Sequence, residues 1–145
     1  MQLLAVDYLA PDADKQFVDQ NWQAFFNSDE KLHYAFDNKS HDGFFSTKVS
    51  ETAKGFKKKD IKEYFHYYPW GKCPPNLKQE LQDYYQAAND LASELLGWVE
   101  KYSPADVAAH YSEPLSGMAT NSDQTLLRLK VPVMNGLMYL ATLVI

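Results

Sequence analysis

Hydrophobic residues recur with a helical period in two long segments of this chain. Over residues 75–102 they lie three or four positions apart, which predicts one long helix. Its predicted apolar stripe consists of Leu77, Leu81, Tyr84, Ala88, Leu91, Leu95, Val99 and Tyr102. Pro74 and Pro75 suit its first turn, because a proline there loses no helical hydrogen bond. A second stripe predicts a helix over 12–27, capped by Asp12. It consists of Phe17, Val18, Trp22, Phe25 and Phe26.

Shorter elements carry weaker signals. Ser28, followed by two acids, predicts the start of another helix, which would carry Leu32, Ala35 and Phe36. Ser103 and Pro104 are typical of an N-cap and first helical position, so we predict a short helix to about residue 111.

The remaining segments are predicted to be loop and strand. Residues 39–59 have no helical period and contain two glycines, which favours a loop. Residues 3–9 and 125–133 are candidate strands, and Pro132 would confine the end of the latter to an edge. We therefore expect a mainly α chain with a few short strands (α+β), forming a single domain over 1–145.

The C-terminal segment 131–145 is almost wholly apolar. It is shorter than the roughly 20 residues that a membrane-spanning helix needs, so we expect no membrane insertion. Two interpretations remain open for this atypical tail. It is either a buried strand or short helix, or an aggregation-prone end of an altered protein.

Charge and cysteine content limit the classes of partner. The formal net charge is −5 and Arg128 is the only arginine, which argues against binding to nucleic acid. Cys73 is the only cysteine, so the chain has neither an internal disulfide nor a cysteine-based zinc site. A free thiol and the lack of a signal-peptide pattern favour the cytoplasm. Lys72 next to Cys73 allows the hypothesis of a thiol with a lowered pKa.

Residues 54–75 combine lysines with aromatic residues. The lysines form either an anion-binding lip or a solvated loop; they are Lys54, Lys57, Lys58, Lys59 and Lys62. The aromatic residues either line a ligand pocket or form core with one exposed edge. They are Tyr64, Phe65, Tyr67, Tyr68 and Trp70.

The histidines do not have the spacing of a non-haem iron site, which takes two histidines and a carboxylate. None of His33, His41, His66 and His110 is followed two positions later by an acid, and no histidine comes after His110. Motifs for a nucleophilic serine or a phosphate-binding loop are also missing. We therefore predict no catalytic, cofactor-binding or metal-binding residue in this chain.

Several short motifs nevertheless resemble one enzyme family in order and spacing. Residues 42–45, Asp-Gly-Phe-Phe, are similar to a Gly-Tyr/Phe loop, and residues 60–65, Asp-Ile-Lys-Glu-Tyr-Phe, to a D-x-K-E-x-F signature. The long helix, Ser-Glu-Pro-Leu at 112–115 and Thr-Leu-Leu-Arg at 125–128 follow in the same order. Over about residues 28–130 the chain thus resembles the N-terminal region of isopenicillin N synthase-like 2-oxoglutarate/Fe(II)-dependent oxygenases.

The resemblance implies the helical part of such an enzyme without its β-helix (jelly-roll) core. Intact members use Fe(II) and 2-oxoglutarate, but the segments that hold them have no counterpart here. The family also implies a basic contact to a substrate carboxylate just before the Gly-Tyr loop, where this chain has His41. Candidate substrate-side or anion contacts are His41, Lys57, Lys62 and Arg128.

Three hypotheses for function follow from these observations. The first is a truncated or divergent oxygenase relative, an oxidoreductase by ancestry, that is inactive alone. The second is a small helical interaction module, binding another copy or a protein partner through the apolar tail. The third is an enzyme with an unrecognised site in the lysine-rich aromatic block.

Overall fold

Helices and a small antiparallel sheet make up the described part of the chain. The computed structural model describes residues 12–49, 62–120, 122–132 and 140–145. The helices are α1 (Asp12–Asn27), a 3₁₀ helix (Asp29–Tyr34), α2 (Pro75–Tyr102), α3 (Ala105–Ala108) and α4 (Gly117–Thr120). The strands are β1 (Gly43–Phe45), β2 (Lys62–Tyr67), β3 (Leu126–Pro132) and β4 (Leu140–Val144). This architecture agrees with the predicted α+β class.

The four strands form one sheet in the order β1-β2-β3-β4, with every neighbouring pair antiparallel. Phe65 pairs with Leu129 and His66 with Arg128. Because side chains alternate between the faces of a strand, these two pairs belong to opposite faces. One face packs on the helices, and the other carries the candidate site.

The helix-side face holds the hydrophobic core. Trp22 and Phe25 of α1 lie with ring centroids 5.5 and 5.8 Å from Phe65, which is fully buried. Leu127 and Leu143 join the same cluster from β3 and β4. Burial of such side chains stabilises the fold by about 1.5–3 kcal/mol each. Of the five aromatic residues singled out in the sequence, four are buried and Trp70 is 52% exposed, as expected for core with one exposed edge.

Helix α2 has the predicted bounds but buries only part of the predicted stripe. Its buried residues are Leu77, Leu81, Tyr85, Ala88, Asn89 and Ala92. Towards the C-terminus the stripe leaves the core, and Leu91, Val99 and Tyr102 are exposed. These three positions belong to the predicted apolar stripe, but the core does not cover them. Helical periodicity identifies an apolar face, but it does not say where the core that covers it ends.

The segment after Ser28 is a 3₁₀ helix rather than an amphipathic α-helix. Leu32 is 58% exposed, and the hydroxyl of Ser28 donates to the carbonyl of Phe25 instead of capping the new helix. The segment is held by Lys31, whose ammonium donates to Phe26 O at 2.7 Å and to Glu63 Oε2 at 2.8 Å. These contacts join the end of α1 to β2.

Two strands lie where none was predicted. β1 interrupts the predicted loop, and β2 follows it. β1 has only three residues, too few for alternation to be visible in the sequence, and it forms by pairing Phe44 with Phe65. Residues 50–59 of the predicted loop and the candidate strand 3–9 lie outside the described residues.

The C-terminal half of the sheet follows the sequence prediction more closely. β3 occupies the candidate strand, and Pro132 pairs with Lys62 at its end. β4 pairs with β3 only as far as Lys130, so Pro132 lies beyond the β4 ladder. The last residues of the apolar tail are therefore strand, with Leu143 and Val144 buried.

The predicted helix after α2 is shorter than expected. α3 spans four residues, and Ser103 ends α2, where its hydroxyl donates to the carbonyl of Val99 at 2.6 Å. The N-cap role predicted for Ser103 was wrong, because Pro104 occupies that position.

Candidate functional site

A layer of aromatic and basic residues lies on the sheet face opposite the helices. Tyr64 and His66 are two residues apart on β2, so their side chains share this face. Phe45 of β1 stacks on Tyr64, with centroids 4.5 Å apart and an interplanar angle of 15°. Its ring also lies 4.5 Å from that of His66. All three side chains are buried.

His66 connects two other parts of this layer by hydrogen bonds. Its Nδ1 lies 3.1 Å from the carbonyl oxygen of His41, and its Nε2 lies 2.9 Å from Nε of Arg128. A carbonyl oxygen only accepts and an arginine Nε–H only donates. The two contacts therefore require the neutral tautomer of His66 that carries its proton on Nδ1.

The surroundings of His66 favour that neutral form. Burial, together with the positive charge of Arg128, lowers the pKa of His66 from 6.5 to about 4, although the His41 carbonyl opposes the shift. At neutral pH the imidazole is uncharged. It can then act as a fixed acceptor for the guanidinium.

Arg128 is half-buried in this layer, directly across from His66 in the strand register. Its guanidinium carbon lies 5.4 Å from the centre of the Tyr64 ring, within the range of cation–π attraction. No described carboxylate lies within ion-pair distance of Arg128. The site therefore has a positively charged group held by an imidazole and an aromatic ring.

A buried carboxylate organises the turn beside this layer. Asp42 is 2% exposed, its Oδ1 accepts from the hydroxyl of Ser40, and its Oδ2 accepts from the backbone N–H of Lys72 at 2.6 Å. Burial and the charge of Asp42 raise the pKa of Tyr68, while Arg128 opposes that rise. Asp42 thus lies within electrostatic range of the site, but its oxygens are used in the local turn.

The segment that presents the His41 carbonyl has an unusual backbone. His41 has φ of 58°, and it is the one described non-glycine residue with a positive φ. This conformation is rare for a residue with a Cβ. In this conformation the His41 carbonyl accepts a hydrogen bond from His66. The strained backbone therefore helps to hold the His66 imidazole in place.

The structure brings together only part of the predicted set of anion contacts. Arg128 lies at the centre, and Lys62 lies on the same face of β2 as Tyr64 and His66. His41 contributes its backbone carbonyl, and its side chain is exposed. Lys57 lies outside the described residues.

Sequence reasoning missed His66 as a site residue. The four histidines lack the spacing of metal ligands, and that pattern does not select His66. The available signal was the alternation of Lys62, Tyr64 and His66, which places polar and aromatic side chains on one face of a strand. Recognising it required knowing that this segment is a strand.

The hypothesis of an activated Cys73 was wrong. The thiol is half-buried, and burial raises its pKa to about 11, with only a partial opposing effect from Lys78. At neutral pH it is protonated and a poor nucleophile.

The described residues do not fit the ferrous site of the family. All four histidines are described; His66 has both ring nitrogens engaged, and the other three side chains are exposed. Within the described ranges no group of three or more His, Cys, Asp or Glu side chains could hold a metal ion. Two histidines and a carboxylate, which such a site needs, do not come together among the described residues.

Comparison with known proteins relates this scaffold to oxygenases. No family model and no curated protein matches the chain. Among solved structures, the chain is similar to a candidate oxygenase from Shewanella oneidensis, with 43% sequence identity and a TM-score of 0.71. The match covers 90% of this chain and 46% of the other, so this chain spans about half the length of that protein. In the described part, no helix is long and apolar enough to cross a membrane. The chain therefore has an oxygenase-related scaffold.

Proposed function

We propose that this chain is a non-catalytic relative, or part, of a 2-oxoglutarate/Fe(II)-dependent oxygenase of the isopenicillin N synthase-like family. The observation that carries the proposal is 43% identity to a candidate oxygenase over nearly all of this chain, which spans only 46% of that protein. The order of the motifs from residue 42 to residue 128 supports the narrower family assignment.

The histidine environments support inactivity of the chain by itself. Fe(II) would need imidazole nitrogens with free lone pairs converging on one point. The Nε2 lone pair of His66 is directed at Arg128, and the Nδ1 proton at a backbone carbonyl. His33, His41 and His110 have exposed side chains that belong to no donor cluster among the described residues.

In an intact family member the bound iron and 2-oxoglutarate supply the oxidising chemistry. No oxidation step is assigned to the residues of this chain. Its contribution would be part of the outer wall of a substrate pocket, on the sheet face that carries the half-buried Arg128. The half-buried thiol of Cys73 is compatible with the reducing cytoplasm as its location.

An assay of cosubstrate turnover tests the proposal. The purified chain is incubated with Fe(II), ascorbate, 2-oxoglutarate and oxygen, and succinate is quantified against an active oxygenase of this class. We expect no succinate above the metal-only background. Succinate formed in amounts stoichiometric with the chain or greater, and lost on adding a ferrous chelator, would overturn the proposal.

An interaction module is the second candidate function, because helix α2 carries an exposed apolar face. Leu91 is 37%, Trp98 57%, Val99 53% and Tyr102 74% exposed. Trp98, Val99 and Tyr102 follow Leu91 by seven, eight and eleven residues, so the four side chains lie on one side of the helix. Monomeric proteins rarely expose several large apolar side chains together.

The charges beside this face favour a second copy of the chain as its partner. Glu94 and Lys101 are seven residues apart and lie on the same flank of the apolar face. When two such helices pair antiparallel, Glu94 of each copy lies opposite Lys101 of the other. The charges beside this face are therefore self-complementary, as a two-fold symmetric dimer requires.

A further inference from the structure

We infer that the guanidinium of Arg128 is the centre of a binding site for a small carboxylate on the sheet face opposite the helices. The inference is independent of oxygenase ancestry, because it depends on contacts among described residues of the sheet and of the turn beside it.

The first step is that the guanidinium is held in place before any ligand arrives. Its Nε donates to Nε2 of His66 at 2.9 Å, and its central carbon lies 5.4 Å from the centre of the Tyr64 ring. His66 is itself fixed by the carbonyl of His41. A positioned arginine loses less conformational entropy on binding than a mobile surface arginine does.

The second step concerns which donors remain. With Nε directed at His66, the two terminal nitrogens of Arg128 form the remaining donor edge. No described carboxylate lies within ion-pair distance of them, and both oxygens of the buried Asp42 accept from Ser40 and Lys72. The edge of terminal nitrogens matches the two coplanar oxygens of a carboxylate.

The third step is the charge around the donor edge. Lys130 is two residues from Arg128 in β3, so the two side chains lie on the same face of the sheet. Lys62 lies on that face of β2. His66 adds no charge at neutral pH, since its pKa is lowered to about 4. These cations lie on one face of the sheet with Arg128, and the buried carboxylate of Asp42 beside the layer offsets part of their charge.

A carboxylate fits this arrangement better than a phosphate does. The site offers one planar guanidinium edge above aromatic rings, and β-strand backbone N–H groups are used in the sheet ladder. Phosphate sites usually add a cluster of backbone N–H groups or a helix N-terminus.

Titration of the full chain with sodium succinate, without iron, tests the site. Sodium chloride at matched ionic strength and inorganic phosphate serve as comparison titrations. We expect saturable binding with a Kd below about 10 mM, at least tenfold tighter than phosphate, and a shift of the His66 ring signals in NMR. No saturation by that concentration, or phosphate binding as tight as succinate, would refute the assignment.

Substitutions distinguish Arg128, which contacts the ligand, from His66, which positions Arg128. Arg128→Lys keeps the positive charge but cannot form the bidentate pair of hydrogen bonds to a carboxylate, so succinate affinity should fall at least about tenfold. His66→Gln keeps an acceptor for Arg128 and should bind within about threefold of native, whereas His66→Leu should bind about tenfold more weakly. Lys78→Gln, which removes an exposed lysine on α2, is the matched control and should bind as the native chain does.

Folding of each variant is checked by circular dichroism, and Arg128→Lys carries the test because it is the least disruptive change at that position. Equal affinity of Arg128→Lys and native chain would overturn the inference. Equal loss in Lys78→Gln would also overturn it, because binding would then follow net charge alone.

Discussion

Nε of Arg128 donates a hydrogen bond of 2.9 Å to Nε2 of His66, directly across the β2–β3 ladder. Two groups that are usually both cationic at mildly acidic pH are thus placed side by side in a buried layer. The arrangement is favourable only while the imidazole is neutral. This relationship makes the stability of the sheet sensitive to pH.

Protonation of His66 should destabilise the fold at acidic pH. The folded-state pKa of about 4 lies below the ordinary value of 6.5, so the unfolded chain binds the proton more tightly. The His66 contribution to stability is therefore complete above about pH 6.5 and is lost as pH falls towards 4, about 3 kcal/mol in all. Urea unfolding of the native chain at pH 7 and pH 4.5 measures the loss.

His66→Gln isolates this contribution from other titrating groups. Glutamine keeps an acceptor for Arg128 but has no proton to bind, so the variant should lose less stability between the two pH values. The charged neighbours of the ring, Arg128 and His41, are unchanged in the variant. Identical losses in the variant and the native chain would show that His66 does not control the acid sensitivity.

Removing the Asp42 carboxylate should weaken the turn that borders the site. Asp42→Ala leaves the backbone N–H of Lys72 and the hydroxyl of Ser40 without their buried acceptor. We expect the free energy of unfolding to fall by about 2 kcal/mol, measured by urea denaturation. Asp83→Ala, which removes an exposed acid on α2, is the control and should change stability by less than about 0.5 kcal/mol.

Gly43 should tolerate no side chain. Its φ is 95°, and a Cβ at this position would overlap the carbonyl oxygen of Tyr34. Gly43→Ala should therefore lower the free energy of unfolding by at least about 2 kcal/mol, because the obstacle is backbone and the conformation is strained for alanine.

Gly97 in α2 is the control for Gly43, because a side chain there should stabilise the protein rather than destabilise it. A Cβ there would meet nothing within 4 Å, so Gly97→Ala should stabilise the helix by about 0.5–1 kcal/mol. If both substitutions changed the urea midpoint in the same direction, the backbone explanation for Gly43 would be wrong.

The two long helices could be predicted from the sequence because their signal is local. Helix α2 has the predicted bounds, since proline at its start and apolar residues three and four apart are visible within the segment itself. β1 could not be predicted in this way, because three residues become a strand only by pairing with β2. The extent of burial along α2 could not be predicted from the sequence either, because it depends on where the sheet ends.

The candidate site was predictable only in part for a related reason. Arg128 was identified from its chemistry as the single arginine, and it lies at the centre of the site. His66 acquires its role from a partner 62 residues away, through a strand register that no local pattern reveals.

The exposed face of α2 should support a dimer. Trp98→Ser removes its largest side chain, which is 57% exposed in the single chain, and should raise the dimer dissociation constant at least about tenfold in sedimentation velocity. Leu32→Ser, at a 58% exposed leucine on the 3₁₀ helix, is the control and should leave that constant unchanged. A native chain that sediments as a monomer at every concentration would contradict the dimer.

Charge reversal should identify the antiparallel pairing of α2. Glu94→Lys places a lysine of each copy opposite Lys101 of the other, so the dimer should weaken at low salt and recover partly at high salt. Adding Lys101→Glu exchanges the two charges and should restore most of the native affinity, because Glu94 and Lys101 would again face opposite charges. Sedimentation of the single and double variants at two salt concentrations measures this coupling. Failure of the second substitution to rescue the first would exclude the antiparallel arrangement, since in that case the two residues would not face each other.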